Sequence, residues 1–110
     1  MEHFFRALSY SRDGLLFLLK EQAFRQELLM IACALPCVAV LRGLGALADA
    51  LPWAFLVLIT EALNTGIEKT VDLCTGERHP LAKAAKDCGS FACGAAIAVF
   101  LFVCARTLLL

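Results

Sequence analysis

The chemistry in this sequence is concentrated in one run, Glu61-Ala-Leu-Asn-Thr-Gly-Ile-Glu-Lys-Thr-Val-Asp72. At about 100° per residue, Asn64, Thr65, Glu68 and Asp72 all fall within about 60° of Glu61 on a helix, so one face gathers carboxylates, an amide and a hydroxyl. Glu61 and Glu68 stand about 10 Å apart along the axis, and the stripe climbs from inside an apolar segment toward its polar end. Carboxylates inside a membrane helix cost about 2.5–3.5 kcal/mol each, so they mark ion or substrate pathways more often than they serve as glue between helices. Glu21 and Glu27 precede the first apolar run, and Lys86 and Asp87 open the last one, bringing further acids and a lysine to the same depth. Carboxylates, an amide and an adjacent lysine suit a hard Mg²⁺ ion carrying nucleotide phosphates. A deeper acid such as Glu61 suits a general base toward a hydroxyl arriving from the lipid. A proton or ion pathway would use the same acids without needing the lysine, and the residues alone leave both readings open. No GxxxxGK phosphate loop is present, Gly66 to Thr70 imitating only its tail. His79 reads as an exposed loop histidine, and His3 lies near the terminus.

Three apolar helices must position these groups. Cys88 to Ala105 is free of charge for eighteen residues, long enough to cross a hydrocarbon core of about 30 Å. Leu28 to Leu41 contains Pro36 and spans only if Arg42 snorkels and Gly43 to Ala48 is counted with it. Ala50 to Leu73 enters apolar and leaves polar. The expected spans are therefore about 27–47, 50–73 and 86–108. Residues 2–25, where Phe4, Phe5, Leu8, Leu15 and Leu16 alternate with Arg6 and Arg12, read as an amphipathic surface helix whose weak point is Gly14. Trp53 and Tyr10 suit interfacial anchors. Lysine and arginine cluster before the first span and across 69–87, which puts the amino terminus and that connection in the cytosol and the carboxyl terminus outside. Small residues four apart, Ser90, Gly94 and Ala98, allow close helix approach, and homo-oligomerisation is the economical way to enclose the polar stripe.

Composition sets the outer limits. Of 110 residues, 61% are apolar and 18% charged, with a mean hydropathy of +0.79, which is outside the range of soluble domains. Ten basic and ten acidic side chains cancel, which excludes a basic nucleic-acid binder. The six cysteines form no CxxC pair and read as small hydrophobes. No cleavable signal peptide is expected, and the chain reads as one all-α membrane-embedded unit, 1–110.

Glu21-Gln-Ala-Phe-Arg-Gln-Glu27, the Glu61 to Asp72 run and His79-Pro-Leu-Ala-Lys-Ala-Ala-Lys-Asp87 together resemble the prokaryotic diacylglycerol kinase family. The resemblance implies a homotrimer of three-span protomers, each with an amphipathic surface helix, and active sites composed from neighbouring protomers. It implies that Glu61 is the catalytic base toward the lipid hydroxyl and that Asn64 positions the reacting groups. It makes Glu21 and Glu68 ligands of Mg²⁺ bound with ATP, with Asp72 in the same cluster and Lys86 and Asp87 at the nucleotide phosphates. Glu77 and His79 align near the nucleotide base, although Arg78 stands where the family commonly has an aromatic residue. Arg6, Tyr10, Ser11 and Gln26 match positions near the lipid headgroup, Tyr10 also on the nucleotide side. Related members act on undecaprenol; the Glu21 to Glu27 run looks more like the diacylglycerol group. The implied setting is the bacterial inner membrane.

Overall fold

A computed structural model describes residues 1–110 as four helices: α1 Glu2–Leu18, α2 Gln22–Arg42, α3 Leu44–Cys74 and α4 Pro80–Leu109. The last three are long and apolar enough to cross a membrane. α3 has 31 residues, about 46 Å at 1.5 Å per residue, so its polar end extends beyond a hydrocarbon core of about 30 Å.

The packing seam follows a heptad-like rhythm. The buried positions are Phe24, Ile31 and Val38 on α2, Ala50, Ala54, Val57, Glu61, Asn64 and Thr65 on α3, and Gly89, Cys93, Ala96, Phe100 and Cys104 on α4. Steps of seven, or of three and four, keep one stripe facing its neighbours as helices cross at shallow angles. Ile31, Val38, Ala54, Val57, Ala96, Phe100 and Cys104 form the core. Toward the polar end the same stripe of α3 changes from Ala54 and Val57 to Glu61, Asn64 and Thr65, so the polar residues occupy packing positions.

Several boundaries depart from the sequence expectation. α1 runs unbroken through Gly14, because one glycine costs only about 1 kcal/mol relative to alanine in a helix. It stops at Leu18, however, and residues 22–25 belong to α2, the chain redirecting at Leu19 to Glu21. The joint between α2 and α3 is Gly43 alone, with φ +91°, a conformation that residues bearing a Cβ rarely adopt. Its N–H still bonds to Ala39 O at 2.9 Å, so the turn closes in one residue and Leu44 to Ala48 belong to α3, not to the first span. α4 begins at Pro80, with His79 capping it by accepting the Leu81 N–H on Nδ1 at 3.0 Å. A proline whose missing N–H would have had no partner is well suited to that first position. Between α3 and α4 only Thr75 to His79 lie outside helices. At the opposite end Arg42 Nη2 donates to Leu108 O at 2.8 Å, placing a cation at the carboxyl end of the α4 dipole.

Candidate active site

Glu61 lies deepest, 5% exposed, with Asn64 at 8% and Thr65 at 6% following along the seam. Asn64 Nδ2 donates to Glu68 Oε1 at 3.2 Å, joining the buried part of the stripe to its exposed part. One further turn along, Lys86 Nζ donates to Asp72 Oδ1 at 2.7 Å and bridges α4 to α3. Lys83 Nζ reaches Asp87 Oδ2 at 2.6 Å, an i,i+4 pair on the first turns of α4. Glu21, the residue before α2, pairs with Lys69 Nζ at 3.4 Å. Lys69 Nζ also stands 5.7 Å from the centre of the Phe17 ring, which draws the end of α1 toward the same place.

An open cleft of about 910 Å³ lies at this end, between the last turn of α3 and the first turns of α4. Asp72, Glu77, His79, Lys83, Lys86 and Asp87 line it. The connection that closes it is held by Glu77 N–H donating to Thr75 Oγ1 at 3.1 Å. Acids and lysines sharing a cleft can receive a polyanion together with its cation. Glu61 is outside the cleft, eleven residues above Asp72 and so about 16 Å up the axis, at the level where α3 is still packed in the seam.

The expected residues therefore fall into three places. Glu61 and Asn64 are in the seam, and Glu68 bonds to Asn64 from just outside it. Asp72, Glu77, His79, Lys86 and Asp87 share the cleft. Glu21 approaches through Lys69. Arg6, Tyr10 and Ser11 on α1 and Gln26 on α2 are exposed, and a single protomer brings none of them into the cleft. Glu27 was expected beside Glu21 as a further acid at this depth, whereas three other participants, Lys83, Lys69 and Gly89, were not singled out by type and spacing. Glu27 lies against the Glu61 carboxyl, its Oε2 buried without a hydrogen-bond partner. Lys83 was legible as the i,i+4 partner of Asp87. Lys69 holds Glu21 only because α2 and α3 meet, and Gly89 packs against Asn64 with no local signal at all. No three acid, histidine or cysteine side chains form a metal cage, but the hard oxygen donors Glu21 and Glu68 fit Mg²⁺, which takes one or two carboxylates and completes its shell with phosphate and water.

The fold and this cleft define a multi-pass membrane protein with an acidic and lysine-bearing site at one end of its spans. The profile of the family described as prokaryotic diacylglycerol kinase matches residues 9–108. A diacylglycerol kinase of Pseudomonas aeruginosa is 41% identical over 113 residues, covering 99% of this chain and 90% of its own. One from Helicobacter pylori is 42% identical over 95 residues, covering 80% and 70%. An undecaprenol kinase of Bacillus subtilis is 32% identical over 106 residues, covering 91% and 80%. The chain belongs to the prokaryotic diacylglycerol kinase family. It is thus an enzyme of the lipid kinase class, and a nucleotide supplies its phosphoryl group.

Proposed function

We propose that the protein transfers the γ-phosphoryl group of ATP to the free hydroxyl of diacylglycerol, giving phosphatidic acid and ADP. The observation that carries this reading is the continuity of the stripe: a buried acid and amide at lipid depth lead, through Glu68, into a cleft bearing Lys86 and Asp72. A lipid alcohol reaches Glu61 from the hydrocarbon side while the nucleotide enters from water. Glu61 accepts the hydroxyl proton as the oxygen attacks phosphorus, and Asn64 holds the reacting groups in line. Lys86 and Asp87 hold the triphosphate, and Asp72 orients Lys86 through their ion pair. Glu77 and His79 border the base. Glu21 and Glu68 would hold Mg²⁺, which supplies neutralisation of the phosphate charge. Transfer of this kind asks for positioning and charge compensation more than covalent chemistry, which a small protein can supply.

Diacylglycerol is favoured over undecaprenol because the relatives named for diacylglycerol are 39–42% identical and the one named for undecaprenol 32%. The reading includes a homotrimer with composite sites. A single protomer is only 21 Å thick in its narrowest direction and leaves Phe55, Leu63, Phe91 and Phe102 more than half exposed, faces suited to neighbours and lipid. α1, with no buried residue, lies on the cytosolic interface with Arg6, Tyr10, Ser11 and, from α2, Gln26 near the lipid headgroup. The bacterial inner membrane houses the protein, with the amino terminus and 69–87 cytosolic and the carboxyl terminus outside. Radiolabelled ATP offered with each lipid alcohol in detergent micelles tests the proposal. Label in phosphatidic acid is expected; label confined to undecaprenyl phosphate overturns the substrate, and label in neither overturns the reaction.

A further inference from the structure

We infer that Gly89 is a positioning residue: the space left by its missing Cβ is the seat that fixes the Asn64 amide in the seam between α3 and α4. A Cβ built on Gly89 would overlap Asn64 Oδ1 and stand 3.1 Å from its Cγ, closer to the oxygen than real Cβ atoms come. The other helical glycines, Gly14, Gly45, Gly66 and Gly94, have nothing within 4 Å of such a Cβ, so this contact is particular to Gly89. The amide is fixed from both sides. Glu68 can only accept, so Nδ2 must face it, and the bond is 3.2 Å. That orientation turns Oδ1 toward α4, where it is buried without a hydrogen-bond partner. Its neighbour there is the bare Cα of Gly89, a weak C–H donor at best. α4 therefore governs the stripe at two levels, by Lys86 on Asp72 beside the cleft and by Gly89 under Asn64 at lipid depth.

The catalytic consequence of this seat rests on the kinase reading; the seat itself does not. In Gly89→Ala the obstacle is the end of a side chain, not backbone, and alanine is the better helix former, so the amide yields and the helices stay. An ångström of misplacement at a reacting centre costs about 100-fold in rate, and kcat should fall by about that factor. The experiment is a double-mutant cycle of Gly89→Ala and Asn64→Ala on the full chain in micelles, with kcat and KM, thermal midpoint and oligomeric state for each corner. It includes the side-chain amide NMR signals of Asn64, assigned by their loss in Asn64→Ala. Expected are shifted Asn64 signals, a lowered kcat with unchanged midpoint in Gly89→Ala, and no further loss when Gly89→Ala is added to Asn64→Ala. Unmoved amide signals overturn the inference, as do an undiminished kcat in Gly89→Ala or a penalty that persists in full without Asn64. Wild-type protein that labels no lipid alcohol sinks the kinase reading alone, since the amide signals still decide the seat.

Discussion

Replacing Glu61 by glutamine separates chemistry from packing at the centre of the site. The two side chains have nearly the same volume, and at 5% exposure the position tolerates little else. The exchange removes one of two adjoining acids, because Glu27 lies against Glu61 with a buried oxygen that lacks a donor. A glutamine amide supplies an N–H for such an oxygen, so Glu61→Gln should unfold at the same temperature as wild type or a higher one. A positioned general base contributes about 10²- to 10⁴-fold to a transfer rate, or about 2.7–5.5 kcal/mol of barrier. The expected result is a kcat lower by that factor at saturating MgATP and lipid, with nucleotide affinity and oligomeric state unchanged, since the cleft residues lie about 16 Å away along α3. Initial rates of label transfer in mixed micelles, equilibrium binding of a fluorescent ATP analogue and size-exclusion chromatography supply the measurements. Undiminished turnover would remove Glu61 from proton transfer. A loss of turnover that follows loss of the folded protein would assign it to packing instead.

Glu21→Ala and Glu68→Ala should each raise the apparent KM for MgATP by about 10- to 100-fold, the range expected when a charge-assisted contact is lost. Glu21 makes no side-chain cap bond, so α2 should start unchanged; equal affinities for wild type and both variants would contradict the ligand assignment. Cys74, exposed at the polar end of α3, should react with a membrane-impermeant maleimide in inverted vesicles and not in intact cells if that end faces the cytosol as proposed, tested in a variant retaining no other cysteine. Labelling from outside would reverse the topology.

Three spans were legible because about twenty apolar residues in a row have few alternatives in lipid, and the stripe was legible because Glu61, Asn64, Glu68 and Asp72 repeat at helical spacing. The ends of the helices were less so. Residues 19–21 carry no proline or glycine, and α1 ends there because the chain must turn into the membrane, a demand set by the surroundings and not by Leu19 itself. Gly43 was in view, yet it was counted with Leu44 to Ala48 inside the first span, because nothing local shows that a single positive φ closes the turn there. The start of α4 at Pro80 was missed as well: the last span was expected only from about 86, because the polar residues of its first turns lie outside the apolar run that marks a span. Within the site, the acids declared themselves by type. Lys69 and Gly89 did not, since each matters through a residue on another helix.

Joining α2 to α3 through Gly43 alone has a consequence for biogenesis. With no slack between them, the two helices should enter the bilayer together as a hairpin with Arg42 and Gly43 at its tip, not one after the other as independent rods. The joint between α2 and α3 then offers proteases and antibodies almost no chain to grip.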